Sequence, residues 1–387
     1  MIPQFPKLVK IFTLTIVIIL ISHFSFLKSV EAAYDPLSVP NNRWGIHILE
    51  TAEVGKAAEF VNSGGGDWGY VTIPIRANER DLEKWTKFMT DCRRLHLIPI
   101  LRIAQFPKDG GWAAPNEWDL VDFANFLNDL PWPTKNRYIV IYNEPNHQGE
   151  WGGFVYPEEY ARVLDRAIDI FHKKNPDFFV ISAGFDSSAP NAANSMAEMR
   201  YLQIIIDRYP GIFSRLDGFS SHAYGNPSFT TAPNSYSRVN ISNYRYEQNF
   251  LKTFNATPMN IFITEGGWDS QSLGDARSAA YYLEAFQNVW TDPNIVAITP
   301  FLLQASDGPF QKFSFIGADQ SFKSFAKAIM NLPKISGRPI LTDQSASSRT
   351  VLASPNNANS QASDKTGFFT SVSALVFSFL KSLNILI

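Results

Sequence analysis

The chain has 387 residues, 45% of them hydrophobic and 14% aromatic, enough apolar material to bury the core of one large domain, so disorder is not expected. A net charge of -2 and a pI near 6.3 give no basic surface for a phosphate backbone, which speaks against nucleic acid and favours a neutral ligand. The single cysteine, Cys92, rules out an intrachain disulfide, so the fold must rest on its core.

At the N-terminus, Lys7 and Lys10 precede an apolar stretch from Ile11 to Ile21, and the small residues Val30 and Ala32 follow at the spacing of a signal-peptidase site. Residues 1–33 therefore read as a secretory signal, or as an uncleaved anchor because Phe24, Phe26 and Leu27 extend the apolar run. Either form predicts a secreted or cell-surface protein.

From Trp44 to Gln304, within one domain of residues 34–341, short β-type runs alternate with longer segments of helical period. The runs are Trp44 to Ile48, Tyr70 to Ile75, Ile98 to Ile103, Tyr138 to Tyr142, Phe178 to Ala183, Leu216 to His222, Asn260 to Thr264 and Val296 to Leu303. Each is rich in Ile, Val, Phe or Tyr, as strands buried on both faces require. Between them, Leu82, Trp85, Phe88, Met89, Cys92 and Leu95 share one helix face, and Pro157 opens a helix carrying Tyr160, Val163, Leu164, Ala167, Ile168 and Phe171. The run Gly64, Gly65, Gly66 reads as a helix stop, and a last helix is expected from about Ser321 to Met330. Eight strand–helix pairs predict an α/β fold, a single (β/α)8 TIM barrel. The competing open doubly wound sheet would need a phosphate-binding glycine fingerprint after its first strand, and none is there. Residues 342–366, dominated by Ser, Ala, Asn, Asp and Gln, read as a disordered linker. Residues 367–387 form an apolar amphipathic tail suited to membrane contact, to a partner, or to no role at all.

In a barrel the C-terminal strand ends share one mouth, so polar residues there are site candidates. They are His47, Arg76 and Asn78, Arg102 and Gln105, Asn143 and Glu144, Asp186, His222 and Tyr224, Glu265 and Trp268, and Gln304. Two carboxylates directly end apolar runs, Glu144 in Tyr-Ile-Val-Ile-Tyr-Asn-Glu-Pro-Asn and Glu265 in Asn-Ile-Phe-Ile-Thr-Glu-Gly-Gly-Trp. A charge there is costly to desolvate without a use or a partner. Strands four and seven face each other across the mouth. Such a pair suits cleavage of a glycosidic bond, one carboxyl protonating the leaving oxygen and the other meeting the oxocarbenium carbon.

Asn143-Glu144-Pro145 on strand four, Glu265 on strand seven and Ser-His-Ala-Tyr-Gly on strand six resemble the retaining glycosidases of the 4/7 superfamily, clan A, in a family 39-like or family 5-like form. The resemblance runs from Trp44 to about Leu332. It implies a carbohydrate substrate, Glu144 as acid/base and Glu265 as nucleophile, and no cofactor. It also implies that Asn143 binds the sugar 2-hydroxyl, that Tyr224 or His222 touches the nucleophile, and that Arg76 or Arg102 keeps it ionised. The two glutamates are then expected to titrate apart. One departure is strand eight, where Phe301 and Gln304 stand in place of the tryptophan that many members carry, which leaves the sugar open. Trp112, Trp151 and Trp268 are candidates to stack on sugar faces or to pack loops, and the loop from Gly225 to Asn240, with Phe229, Tyr236 and Arg238, is a candidate wall of the cleft.

Two rivals use the same mouth. His47, His147, His222, Asp186 and Glu265 could hold a metal, although their spacing lacks a His-x-His pair. A non-catalytic carbohydrate-binding barrel would require neither glutamate.

Overall fold

A computed structural model of the protein describes residues 33–108, 110–255, 260–305 and 308–343. The β-type runs become parallel strands β1 (Gly45–His47), β2 (Gly69–Arg76), β3 (Leu97–Ala104), β4 (Arg137–Ile141), β5 (Phe178–Ile181), β6 (Gly218–Tyr224), β7 (Asn260–Gly267) and β8 (Ile295–Ile298). Sheet order follows chain order. The ring closes through a parallel bridge between Trp44 and Ile298 and through backbone bonds from Ile298 N to Arg43 O (2.8 Å) and Leu303 N to His47 O (2.8 Å). Helices α1 (Val54–Val61), α2 (Leu82–Arg94), α3 (Glu117–Asn128), α4 (Pro157–Lys174), α5 (Glu198–Arg208), α6 (Asn243–Lys252), α7 (Asp275–Glu284) and α8 (Ser324–Met330) intervene and complete the (β/α)8 barrel.

The helices form where the apolar period and the caps agree. Asp81 caps α2 by accepting from Lys84 N, and the helix buries Trp85, Phe88, Met89 and Cys92. Pro157 starts α4, Glu158 and Glu159 sit in its first turn, and His172, Lys173 and Lys174 in its last, each charge matched to the helix dipole. After α1, Gly64 takes φ 59°, and a Cβ there would lie 2.1 Å from the Leu332 carbonyl oxygen, so the stop requires glycine.

Alternation along the strands divides the interior. Val71, Ile73 and Ile75 of β2 face the helices, whereas Tyr70, Ile100, Tyr138, Phe179 and Phe262 plug the barrel floor. Above the plug lies a small polar layer, with Thr72 Oγ1 2.9 Å from Thr299 Oγ1 and Ser220 Oγ 2.5 Å from Thr264 Oγ1. This floor fills the lower part of the barrel and leaves the polar strand ends gathered at the mouth.

Three expected boundaries move. Strand eight stops at Ile298, because Pro300 cannot donate to the ladder. Strand seven runs on to Gly267, so Glu265 lies within it. The last helix begins at Ser324. Thr342, expected in the linker, is tied to the barrel by Arg93 Nη1, which donates to its carbonyl at 3.1 Å. The rest of the signal segment, the linker and the apolar tail lie outside the described residues, apart from Ala33 and Asp343. Among the described residues no helix is long and apolar enough to cross a membrane.

Candidate active site

β4 delivers Glu144 through a strained turn. Tyr142 has φ 68° and Glu144 φ 31°, both in a region that costs side-chain-bearing residues energy and persists only where surroundings enforce it. Here the Tyr142 ring packs edge-on against Trp151 (5.6 Å), and Glu144 N donates to Gly184 O at 3.0 Å. The turn brings Glu144 Oε1 to 2.8 Å from His222 Nδ1.

β7 delivers Glu265 through a bulge. In the β6–β7 ladder Ser221 pairs with Ile263 but His222 pairs with Glu265, so Thr264 is an extra residue. Strict alternation would send Glu265 away from Thr264's face; the bulge sets it beside His222 instead. Tyr224 Oη donates to Glu265 Oε2 at 2.8 Å, and His222 Nδ1 lies 3.8 Å from the same oxygen. His47 Nδ1 is 3.8 Å from Glu265 Oε1, on the other side. His222 fits only because residue 184 is glycine, since a Cβ there would lie 2.1 Å from its ring. One oxygen of each glutamate and one His222 ring nitrogen all fall within 4.8 Å of one another.

Burial alone would raise the Glu265 pKa, but His222, Arg102 and the Tyr224 hydrogen bond together outweigh it and hold the carboxyl below its usual range. Burial also disfavours charge on His222, yet Glu265 and the hydrogen bond to Glu144 overcome this and raise its pKa. At His47 burial wins and pushes the pKa down to about 3, so that ring is neutral.

The other expected residues divide. Arg102, 8% exposed, is the cation beneath Glu265. Arg76 is not, because its guanidinium turns outward to Glu79 at 3.2 Å. Asn143 lies at the mouth, where its Nδ2 donates to Glu150 Oε2 at 3.4 Å. His47 is fully buried and can touch no ligand, so it is a support under Glu265 and not a sugar contact. Trp151 and Trp268 are likewise 0% exposed, which corrects the stacking expectation. Each is held by its indole N–H, Trp151 to Glu159 Oε2 (2.9 Å) and Trp268 to Thr231 O (2.7 Å). Gln304 bonds Gln320 at 3.0 Å. Phe301, 6% exposed, packs edge-on against His47 and offers little face to a ligand. In the loop after β6, Phe229 packs against Tyr224 (5.2 Å), while Tyr236 is 66% exposed.

Sequence reasoning missed Glu150 and Gly184. Glu150 follows a glycine in an aperiodic loop, and Gly184 matters only through a histidine on another strand, so neither carries a local signal. The rival metal set does not assemble, because His147 and Asp186 pair with each other at 2.9 Å. The described residues that could share an ion are the two glutamates and His222.

No protein-family model matches this sequence, and no curated protein does. Solved structures do match. A family 39 glycoside hydrolase from the gut symbiont Bacteroides cellulosilyticus WH2 aligns with a TM-score of 0.51 at 19% identity, over 78% of this chain and 66% of that one, just under two thirds of its length. A glucosidase from Croceicoccus marinus aligns with a TM-score of 0.55 at 11% identity, over 77% of this chain and 68% of that one. The chain has the (β/α)8 barrel fold found in these glycoside hydrolases.

Proposed function

We propose that this protein is a glycoside hydrolase that cleaves O-glycosidic bonds of a poly- or oligosaccharide with retention, Glu144 serving as acid/base and Glu265 as nucleophile. The observation that carries the reading is the spacing of the two carboxyl groups, whose nearest oxygens fall within 4.8 Å. Retaining catalysis needs roughly 5–5.5 Å between the groups, whereas an inverting pair needs about 6.5–9.5 Å to admit water. The likeness of the barrel to a family 39 glycoside hydrolase and to a glucosidase supports the same class.

In the first step the Glu265 carboxylate attacks the anomeric carbon while Glu144 gives its proton to the departing glycosidic oxygen. This leaves a glycosyl ester on Glu265 and an anionic Glu144. Glu144 then takes a proton from water, whose oxygen attacks the same carbon and releases Glu265. The lowered pKa of Glu265 fits a group that must start as an anion. Tyr224 holds its Oε2 in place, and His222 sets the Glu144 carboxyl through Oε1.

The test is a screen of aryl glycosides and polysaccharides with wild type and Glu265→Gly. Rescue of the variant by azide, with a glycosyl azide of inverted configuration, is expected. A variant as active as wild type, or products of inverted configuration from wild type, would sink the reading. Export is part of the same proposal and rests on residues 1–33; recovery of the native protein only from the cytoplasm would count against it.

A further inference from the structure

We propose that Glu150 is a third working carboxylate of the mouth, holding the Asn143 carboxamide and accepting a hydroxyl of the sugar at the cleavage point, so that the subsite takes an uncharged sugar and rejects a uronate. The inference rests on the glycosidase reading above and narrows its substrate class.

The Glu150 backbone is fixed by its neighbours, and its side chain is held by Asn143. Gln105 Nε2 donates to its carbonyl at 2.9 Å, and its own N–H donates to His147 O at 3.1 Å. The next residue, Trp151, is buried between Tyr142 (5.6 Å) and Tyr160 (5.5 Å) and anchors the loop to the core. The preceding residue, Gly149, is touched by Gly111 of the Gly111–Trp112 strand, where a Cβ would lie 2.5 Å from the Gly149 carbonyl oxygen. Loops after β3 and β4 thus clamp Glu150 from both sides.

Its surroundings do not suit a purely structural acid. Glutamine would bond Asn143 equally well without a charge. Instead a half-buried carboxyl stands near Glu144 and Glu265, with no ion pair to a lysine or arginine among the described residues. Burial first, and Glu144 second, push it up to about 7, against the opposing pull of Arg102 and Asn143. A carboxyl so perturbed, and bonded to the residue next to Glu144, is a candidate working group. Beside it the Asn143 Oδ1 is buried without a hydrogen-bond partner, so the Glu150 carboxyl is left as the acceptor for a sugar hydroxyl, which is a donor. A uronate would bring a further carboxylate to a site that already holds the Glu265 anion and a Glu150 carboxyl raised by burial and acidic neighbours, while Arg102 and His222 are already engaged with Glu265.

Two variants separate contact from charge. Kinetics are measured for wild type, Glu150→Ala, Glu150→Gln, Asn143→Ala and the Glu150→Ala/Asn143→Ala double variant, on a neutral aryl glycoside and its matching uronide. In parallel, calorimetry reads binding of both compounds to Glu265→Gln with and without the Glu150 changes. Loss of a hydrogen bond to a charged group predicts that Glu150→Ala raises KM and Kd for the neutral glycoside by about tenfold, with a smaller drop in kcat. The double variant should lose less than the product of the two single losses, because the two residues share one hydrogen bond. Glu150→Gln should keep most of that affinity, admit the uronide, and remove a pH dependence near 7. Unchanged KM and Kd in a folded Glu150→Ala, losses that multiply in the double variant, or a wild type that prefers the uronide would each overturn the inference. Binding that depends on Glu150 without any cleavage by wild type would sink the hydrolase reading alone; cleavage with Kd indifferent to Glu150 would sink this inference alone.

Discussion

Glu144 and Glu265 meet at the C-terminal strand ends in one barrel mouth, one beyond its strand and one within it, and the protein holds them by opposite means. Glu265 sits inside β7 with its side chain 9% exposed, and Tyr224, His222, His47 and Arg102 surround it. Glu144 lies beyond β4 on a strained turn, 21% exposed, and His222 is its hydrogen-bonded partner. A group that stays an anion can be buried once enough cations and donors surround it. A group that must pass a proton to and fro needs access and few fixed partners. His222, hydrogen-bonded to one glutamate and close to the other, couples the two.

The largest effect should fall on the surrounded member. Glu265→Gln is expected to lower kcat roughly 10⁴-fold or more on every substrate, because no other group can form the covalent ester. Glu144→Gln should cost about 10²–10⁴-fold on a poor leaving group and much less on an activated aryl glycoside, which leaves without a proton. Equal losses for Glu144→Gln across leaving groups would break the assignment of the acid.

The turn under Glu144 depends on Trp151. Trp151→Ala removes a fully buried ring and its bond to Glu159, and should cost about 3–5 kcal/mol in urea unfolding. As a sugar platform the same residue would cost little stability and mainly KM. A folding loss below about 1 kcal/mol would therefore restore the stacking role that burial argues against.

Tyr224 offers a finer test at Glu265. Its phenol helps to lower the carboxyl pKa, so Tyr224→Phe should raise that pKa and move the acid limb of kcat/KM to higher pH, by roughly half to one unit. The sign is fixed: a carboxyl with depressed pKa is ionised above it and fails as pH falls through it. The same linkage lends stability above the unfolded carboxylate pKa that is lost as pH falls through the folded one. An acid limb unmoved in Tyr224→Phe would detach it from Glu265.

Much of this was legible in the sequence. The strands declared themselves as β-branched and aromatic runs, and the two glutamates as charges that end such runs. The parts that failed are those set by register and depth. The bulge at Thr264, which aims Glu265 inward, leaves no trace in composition. Trp151 and Trp268 look the same in sequence whether buried or exposed, and only packing separates them. Glu150 belongs to no periodic segment. The choice between Arg76 and Arg102 turns on one register fact: Arg102 pairs with Pro74, two residues deeper along β2 than Arg76.

That depth yields the smallest prediction. Arg76 reaches the rim, where its guanidinium meets Glu79 across a pair 37% and 31% exposed. Exposed pairs of this kind contribute about 0–1 kcal/mol, so Arg76→Ala should leave urea stability nearly unchanged. Because the side chain points away from Glu265, the acid limb of the rate profile should also stay in place. Arg102→Met, by contrast, removes a buried cation from beneath the nucleophile and should shift that limb upward, as Tyr224→Phe does. An Arg76→Ala limb that moves as far as that of Arg102→Met would mean that Arg76 swings inward when sugar binds, and Arg102 would no longer be the one arginine that holds the Glu265 charge.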